Sequence, residues 1–322
     1  MMARRDYAKE IAELRERNSS NHAIIELSLR LLSLQAALDK YRAADNEILR
    51  YFPVAIIGCV EAYTRLQIKE IVDYGEPFVG RIARLELPNL KIDLNLLAAI
   101  DKKTLTVGEF VSHLVSINSL EDVNQHLSVL LDVDFLEELK KTIDPWEAEV
   151  KKPTPAEPII TRPEDVFPAV RTAFELRHIF AHEFATARKV SEDEIDWCFS
   201  GTVTFLRATK ELCNAKLYPN APLTQSEMNS RAYKDLESAK ESLEELLKKI
   251  YGELEKDQAE GFAKIQDAWA AFRELTATFE ADKFRGGTIA PMIYAKTAEQ
   301  ITLDRKEELE QFLETTMKEK QR

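Results

Sequence analysis

The chain has 322 residues, 45% of them hydrophobic, with 44 Lys and Arg against 56 Asp and Glu and a formal net charge of −12. That much apolar content over this length can bury a large core, which excludes a disordered chain and favours two domains over one. The negative field repels phosphate, so a general nucleic-acid coat is excluded and any such contact must rest on a few placed cations. Nine glycines are too few for a protein built from hairpins or from nucleotide-cradling turns. The expected fold is therefore all-α, with two helical-bundle domains.

Cys59, Cys198 and Cys213 show no C-x-x-C spacing, and each falls in a helical apolar pattern. They are expected to be buried free thiols in a reducing compartment, not a zinc site or a disulfide framework. The first twenty residues have no apolar core or cleavage site, and the longest apolar run is Val54 to Val60. A soluble, cytoplasmic protein that crosses no membrane is expected.

In chain order, apolar residues at three- and four-residue steps predict helices over 4–17 and 20–43. A longer helix is predicted over 47–72, apolar on most sides and therefore central, with Pro53 in its first turn. Within it Glu61 and Arg65 stand at i and i+4 and share a face, so they are placed to pair. Shorter helices follow over 90–144, starting with a capping box at Thr106 to Glu109, as a helical insert or lid. Pro145, Pro153, Pro155, Pro158 and Pro163 predict an exposed connector over 145–163. A helix from near Pro168 to about Lys189 comes next, then a second capping box, Ser191 to Glu194, and a helix to about Leu217. The prolines of Tyr218-Pro-Asn-Ala-Pro222 mark a boundary between a domain over 1–217 and one over 223–322. The latter opens on a capping box at Thr224 to Glu227 and continues in long charged helices, with Leu236, Leu243, Leu247, Ile250 and Leu254 on one side.

Chemistry concentrates in Arg177-His178-Ile179-Phe180-Ala181-His182. Histidines at i and i+4 share a helix face. A guanidinium can hold a phosphate bidentately, and an imidazole can take or give a proton near neutrality. The i,i+4 spacing also occurs in zinc sites, but the order here is H-I-F-A-H, with Glu183 after the second histidine and no H-E-x-x-H. A purely structural reading stays open, in which backbone or carboxylate partners such as Glu175 satisfy the imidazoles and Arg177 is a surface cation.

The segment ELRHIFAHEF resembles the R-x4-H signature of HEPN domains (higher eukaryotes and prokaryotes nucleotide-binding), and Val60-Glu61-Ala62-Tyr63-Thr64-Arg65 is similar to that family's aromatic-and-Glu helix. The resemblance spans roughly 20–215. It implies endoribonuclease activity without metal or cofactor, in which a ribose 2′-OH attacks the adjacent phosphate and leaves a cyclic phosphate end. His182 is then the general base or acid, Arg177 the phosphate and transition-state ligand, and His178 a hydrogen-bond partner. Glu61 and Glu183 are supporting residues, and Glu183 stands where many active members have Asn. The family's sites usually form across a two-fold interface, so RNA is the implied substrate and a homodimer the implied active unit.

The blocks T-Q-S-E-M-N at 224–229, Q-D-A-W-A-A-F-R at 266–273, G-G-T-I-A-P-M at 286–292 and T-L-D-R-K-E-E-L at 302–309 resemble LprI-type lysozyme inhibitors. The reading assigns Trp269 as a core anchor, Gly286-Gly287 as a turn needing positive φ, Thr302 as a cap and Arg305 as partner of a buried carboxylate. Exported members carry stapling cysteines, whereas no cysteine follows Cys213 here. The two resemblances together imply a bacterial toxin or antiphage effector whose C-terminal domain senses or binds a protein: an antitoxin, a phage protein or a muramidase. The other readings are a non-catalytic binding protein and an intracellular muramidase inhibitor.

Overall fold

The computed structural model describes residues 6–17, 23–41, 46–87, 94–151 and 156–320. Among these the protein is all-α, with no strand and one isolated bridge, Ile143 to Pro158. The chain divides into two compact units, 1–220 and 221–322.

In the first unit α1 (Tyr7–Glu16), α2 (Ala23–Tyr41) and the short α3 (Asn46–Leu49) lead into α4 (Tyr51–Asp73). The expected helical positions 4–5, 20–22 and 42–43 lie outside the described residues. Helix α4 is the axis of this unit, as its apolar sequence predicts, burying Phe52, Ile56, Ile57, Val60, Tyr63, Ile68, Ile71 and Val72. After a 3₁₀ turn, Val79–Arg84, come α5 (Leu94–Asp101), α6 (Val107–Leu114), α7 (Leu120–Leu131) and α8 (Phe135–Leu139). Val111, Leu127, Leu130, Phe135 and Leu139 join the same core as α4, so α6 to α8 are part of this bundle and form no separate lid. The reason is visible at their starts. Thr106 makes a full capping box with Glu109, and the Asp73 carboxylate at the end of α4 accepts from Thr106 Oγ1 at 2.7 Å and from Gly108 N at 2.8 Å. A carboxylate against a helix N-terminus is favourable, and here it ties α6 onto α4.

The proline-rich stretch departs from an exposed connector. Pro153 and Pro155 lie outside the described residues, but a π-type turn occupies Glu147–Lys151, and Ile160 is buried in the main core. Helix α9 (Pro163–His182) starts five residues before Pro168, with Pro163 in the first helical position, where its fixed φ and missing N–H cost nothing. It also stops seven residues short of Lys189. Helix α10 (Glu192–Leu217) follows, its Ser191 hydroxyl accepting from Glu194 N. Cys59, Cys198 and Cys213 are free and buried.

The second unit contains α11 (Gln225–Glu253), α12 (Lys256–Asp282) and α13 (Ala290–Lys320). Helix α13 packs along both α11 and α12. Leu236, Leu243, Leu246 and Ile250 are buried along α11, with Leu247 and Leu254 partly so.

Candidate functional site

The expected site residues fall on the last turns of α9 and the facing turn of α4. Arg177 reaches α4 and donates from Nη2 to Glu61 Oε1 at 2.6 Å, both side chains half-buried. Glu61 therefore bonds to Arg177, while Arg65, the expected partner, donates to the Ser112 carbonyl at 2.5 Å, and burial pushes its pKa down against the opposing charge of nearby Glu61. His178 and His182 stay on the solvent face with ring centroids 5.3 Å apart. At 100° per residue, five positions place His182 about 140° round the helix from Arg177. The structure thus makes two pairs, Arg177 with Glu61 and His178 with His182.

Glu183 is the C-cap of α9, in extended backbone, with its N–H bonded to the Ile179 carbonyl. It is exposed, and Arg188, a cation that could have neutralised it, instead pairs with Glu194 at 2.5 Å. The side chain that sets this helix end is Arg50, which the sequence pattern did not single out. Its Nη2 donates to the carbonyls of Ala185, Thr186 and Arg188 at 3.2, 3.2 and 2.8 Å, and its guanidinium lies 5.5 Å from the centre of the Phe180 ring. Carbonyls that would otherwise prolong α9 are satisfied by a cation from α4's start. The loop so held presents Phe184 fully to solvent, at 103% relative exposure. Arg50, Tyr51, Phe180, Glu183 and Phe184 line a shallow cleft of about 540 Å³ beside it. A second cleft of about 650 Å³ is walled by α1, α2, α4 and α6, with Arg15, Arg30, Arg65 and Lys69 among its residues. No group of three or more His, Cys, Asp or Glu able to hold a metal ion occurs among the described residues.

In the second unit the four sequence blocks meet in two pairs, 224–229 with 286–292 at the start of α11 and 266–273 with 302–309 across α12 and α13. Thr224 and Glu227 form the full capping box of α11, and Asn229 donates to the Thr288 carbonyl at 3.1 Å. Arg273 lies over the Trp269 ring at 5.0 Å and donates to Thr302 Oγ1 at 3.4 Å. Thr302 is no cap: it is buried inside α13, its hydroxyl donating to the Ala298 carbonyl at 2.7 Å. Arg305 faces no buried carboxylate either. It donates to the amide oxygen of buried Gln266 at 3.5 Å and pairs outward with Glu308 at 2.9 Å. Trp269 is partly buried against Leu243, Leu246, Ile250 and Leu309. Gly286 adopts φ +82°, the left-handed value assigned to that turn, while Gly287 has no positive φ and is held close to the Phe284 carbonyl instead.

The profile of the family described as Lysozyme inhibitor LprI matches residues 219–309. The chain thus carries an LprI lysozyme-inhibitor-like domain that coincides with most of the second unit. Searches of curated proteins and of solved structures gave no match. No helix among the described residues is long and apolar enough to cross a membrane.

Proposed function

We propose that the second unit is a protein-binding module whose partner is a cationic, lysozyme-like muramidase. The observation that carries this reading is the family match over 219–309. Charge supports it: residues 221–322 hold 21 acidic against 16 basic side chains, a field that attracts a basic enzyme and speeds its encounter. In a cytoplasmic protein without stapling cysteines the partner is an enzyme made inside the cell, such as a phage lysin. The test is cell-wall lysis by a cationic muramidase titrated with the full chain. Stoichiometric inhibition supports the reading, and undiminished lysis with no complex by calorimetry overturns it.

A second reading is favoured by the Arg177, His178, His182 and Glu61 constellation: metal-independent RNA cleavage by a HEPN-like first unit acting as a homodimer. The half-buried Glu61 fixes the guanidinium, which acts as a phosphate and transition-state ligand. His182 moves the proton of the attacking 2′-OH, with His178 beside it. The two readings combine as a toxin or antiphage effector whose C-terminal unit senses a phage protein. Wild type, Arg177→Ala, His182→Ala and Glu61→Gln are compared on single-stranded RNA and tRNA in EDTA. Cyclic phosphate ends lost in the first two variants and reduced about tenfold in the third support cleavage at this site. Intact RNA with every preparation folded rejects it.

A further inference from the structure

Helix α12 turns one face toward α13 and leaves another open. Ile265, Ala268, Phe272, Leu275 and Phe279 stand at steps of three and four, a strict heptad stripe of apolar residues. Ala268 is exposed, and the large members are 55%, 57%, 72% and 67% exposed for Ile265, Phe272, Leu275 and Phe279. The inward positions of the same helix, Gln266 and Ala277, are buried, so the stripe is a second face that the unit's own core does not use. Exposed large apolar residues in a continuous stripe mark an interaction surface.

We propose that this stripe is the seam through which two copies of the chain associate, their α12 helices antiparallel. In an antiparallel pair each a position packs against a d position of the other helix. With this sequence that register sets Ile265 against the partner's Leu275, Phe272 against the partner's Ala268, and Phe279 against the partner's Gly261. Every large ring then meets a small residue. A parallel pair stacks Phe272 and Phe279 on their own copies and leaves layers of alanine and glycine beside them, alternately overfilled and void.

Gly261 is a second, independent observation. It sits within α12, where glycine costs about 1 kcal/mol relative to alanine, yet a Cβ built there has nothing within 4 Å. The fold of one chain gives no reason for the gap, whereas the antiparallel register fills it with a phenyl ring. The area suffices as well. At about 200 Å² per large apolar side chain the exposures leave roughly 500 Å² per copy, so about 1,000 Å² in total is covered, the threshold for a specific interface.

The inference is independent of the muramidase and RNA readings, and the full chain tests it. Sedimentation velocity up to roughly 100 μM is expected to show a dimer whose dissociation constant rises at least tenfold in Phe272→Gln and in Leu275→Gln. Gly261→Leu is expected to weaken the dimer equally while raising the thermal midpoint of the monomer, a combination that a damaged fold cannot produce. Ile265→Cys combined with Leu275→Cys is expected to form an intermolecular disulfide under mild oxidation, which neither single variant nor wild type forms. A wild type monomeric throughout that range overturns the proposal. So does a dimer indifferent to all three α12 substitutions, which places self-association elsewhere, or a seam that captures a different protein while the chain alone stays monomeric.

Discussion

Arg50 holds the end of α9 by donating to three carbonyls of the 185–188 loop, and its Nε is buried without a partner. Removing the guanidinium leaves those carbonyls to find water, so Arg50→Ala is expected to cost about 1–3 kcal/mol. Trypsin is expected to nick the loop at Arg188 and Lys189 far faster in this variant than in wild type, which limited proteolysis followed by mass spectrometry checks. At Cys198, burial pushes the thiol up to about 12, Glu194 adds to the shift, and Arg188 opposes it. A thiol whose folded pKa is raised stabilises the fold fully below the unfolded value of about 8.5, and that stability is lost as pH climbs from there toward about 12. The urea midpoint of wild type is therefore expected to fall between pH 8 and pH 10.5, by the equivalent of about 2 kcal/mol for this thiol, and to fall less in Cys198→Ala. The Arg177, His178 and His182 cluster was legible at this scale because it falls within six positions. Arg50 was not, since it acts on residues 135 to 138 positions away and belongs to no local pattern.

Between elements, two glycines set how closely helices cross. A Cβ on Gly108 meets the Lys69 carbonyl at 2.3 Å and the Asp73 carboxylate at 2.6 Å, and one on Gly201 meets Ala169 Cβ at 2.5 Å. Gly108→Ala and Gly201→Ala must therefore push α6 off α4 and α10 off α9. Each is expected to cost about 1–3 kcal/mol in equilibrium urea unfolding, against the small gain that Gly→Ala brings in an open helix such as α12 at Gly261. Helix α1 is tied to α6 by Arg15, which donates from Nε to Glu109 Oε1 at 2.6 Å and also to the Thr104 carbonyl at 2.8 Å. Burial opposes ionisation of Glu109, but hydrogen bonds from Arg15 and Thr106 outweigh it and hold its pKa below the ordinary carboxylate value. Its contribution is present above that ordinary value and lost as pH falls below it. Glu109→Gln is expected to weaken both the capping box and this tie by about 1–2 kcal/mol. Helix starts were readable from the sequence because caps are local: Thr106, Ser191 and Thr224 each open the helix assigned to them. The end of α9 was misplaced because helical periodicity runs on through Phe184 and only a distant cation stops it.

For the molecule as a whole, charge sets the terms of association. Both units are acidic, residues 1–220 with 35 acidic against 28 basic side chains and residues 221–322 with 21 against 16. A complex with a cationic muramidase is expected to form faster at low ionic strength and to lose at least tenfold in association rate at 0.5 M salt, where screening acts within about 4 Å. Stopped-flow or surface-capture kinetics at two salt concentrations reads this directly, and a salt-independent rate contradicts electrostatic recruitment. The all-α class was legible from composition, since few glycines and long periodic stretches leave little else. The roles of Thr302 and Arg305 were not, because both depend on which face of α13 meets α12. Helix α13 has a consequence for biosynthesis. It packs along both α11 and α12 and supplies Ala295, Ala298 and Leu309 to their buried clusters, yet it leaves the ribosome after both of them. Until it emerges, two long amphipathic helices wait without the partner that covers them. A nascent chain stalled before Ala290 should therefore be a substrate for chaperones and proteases, and the second unit should mature only once α13 has emerged.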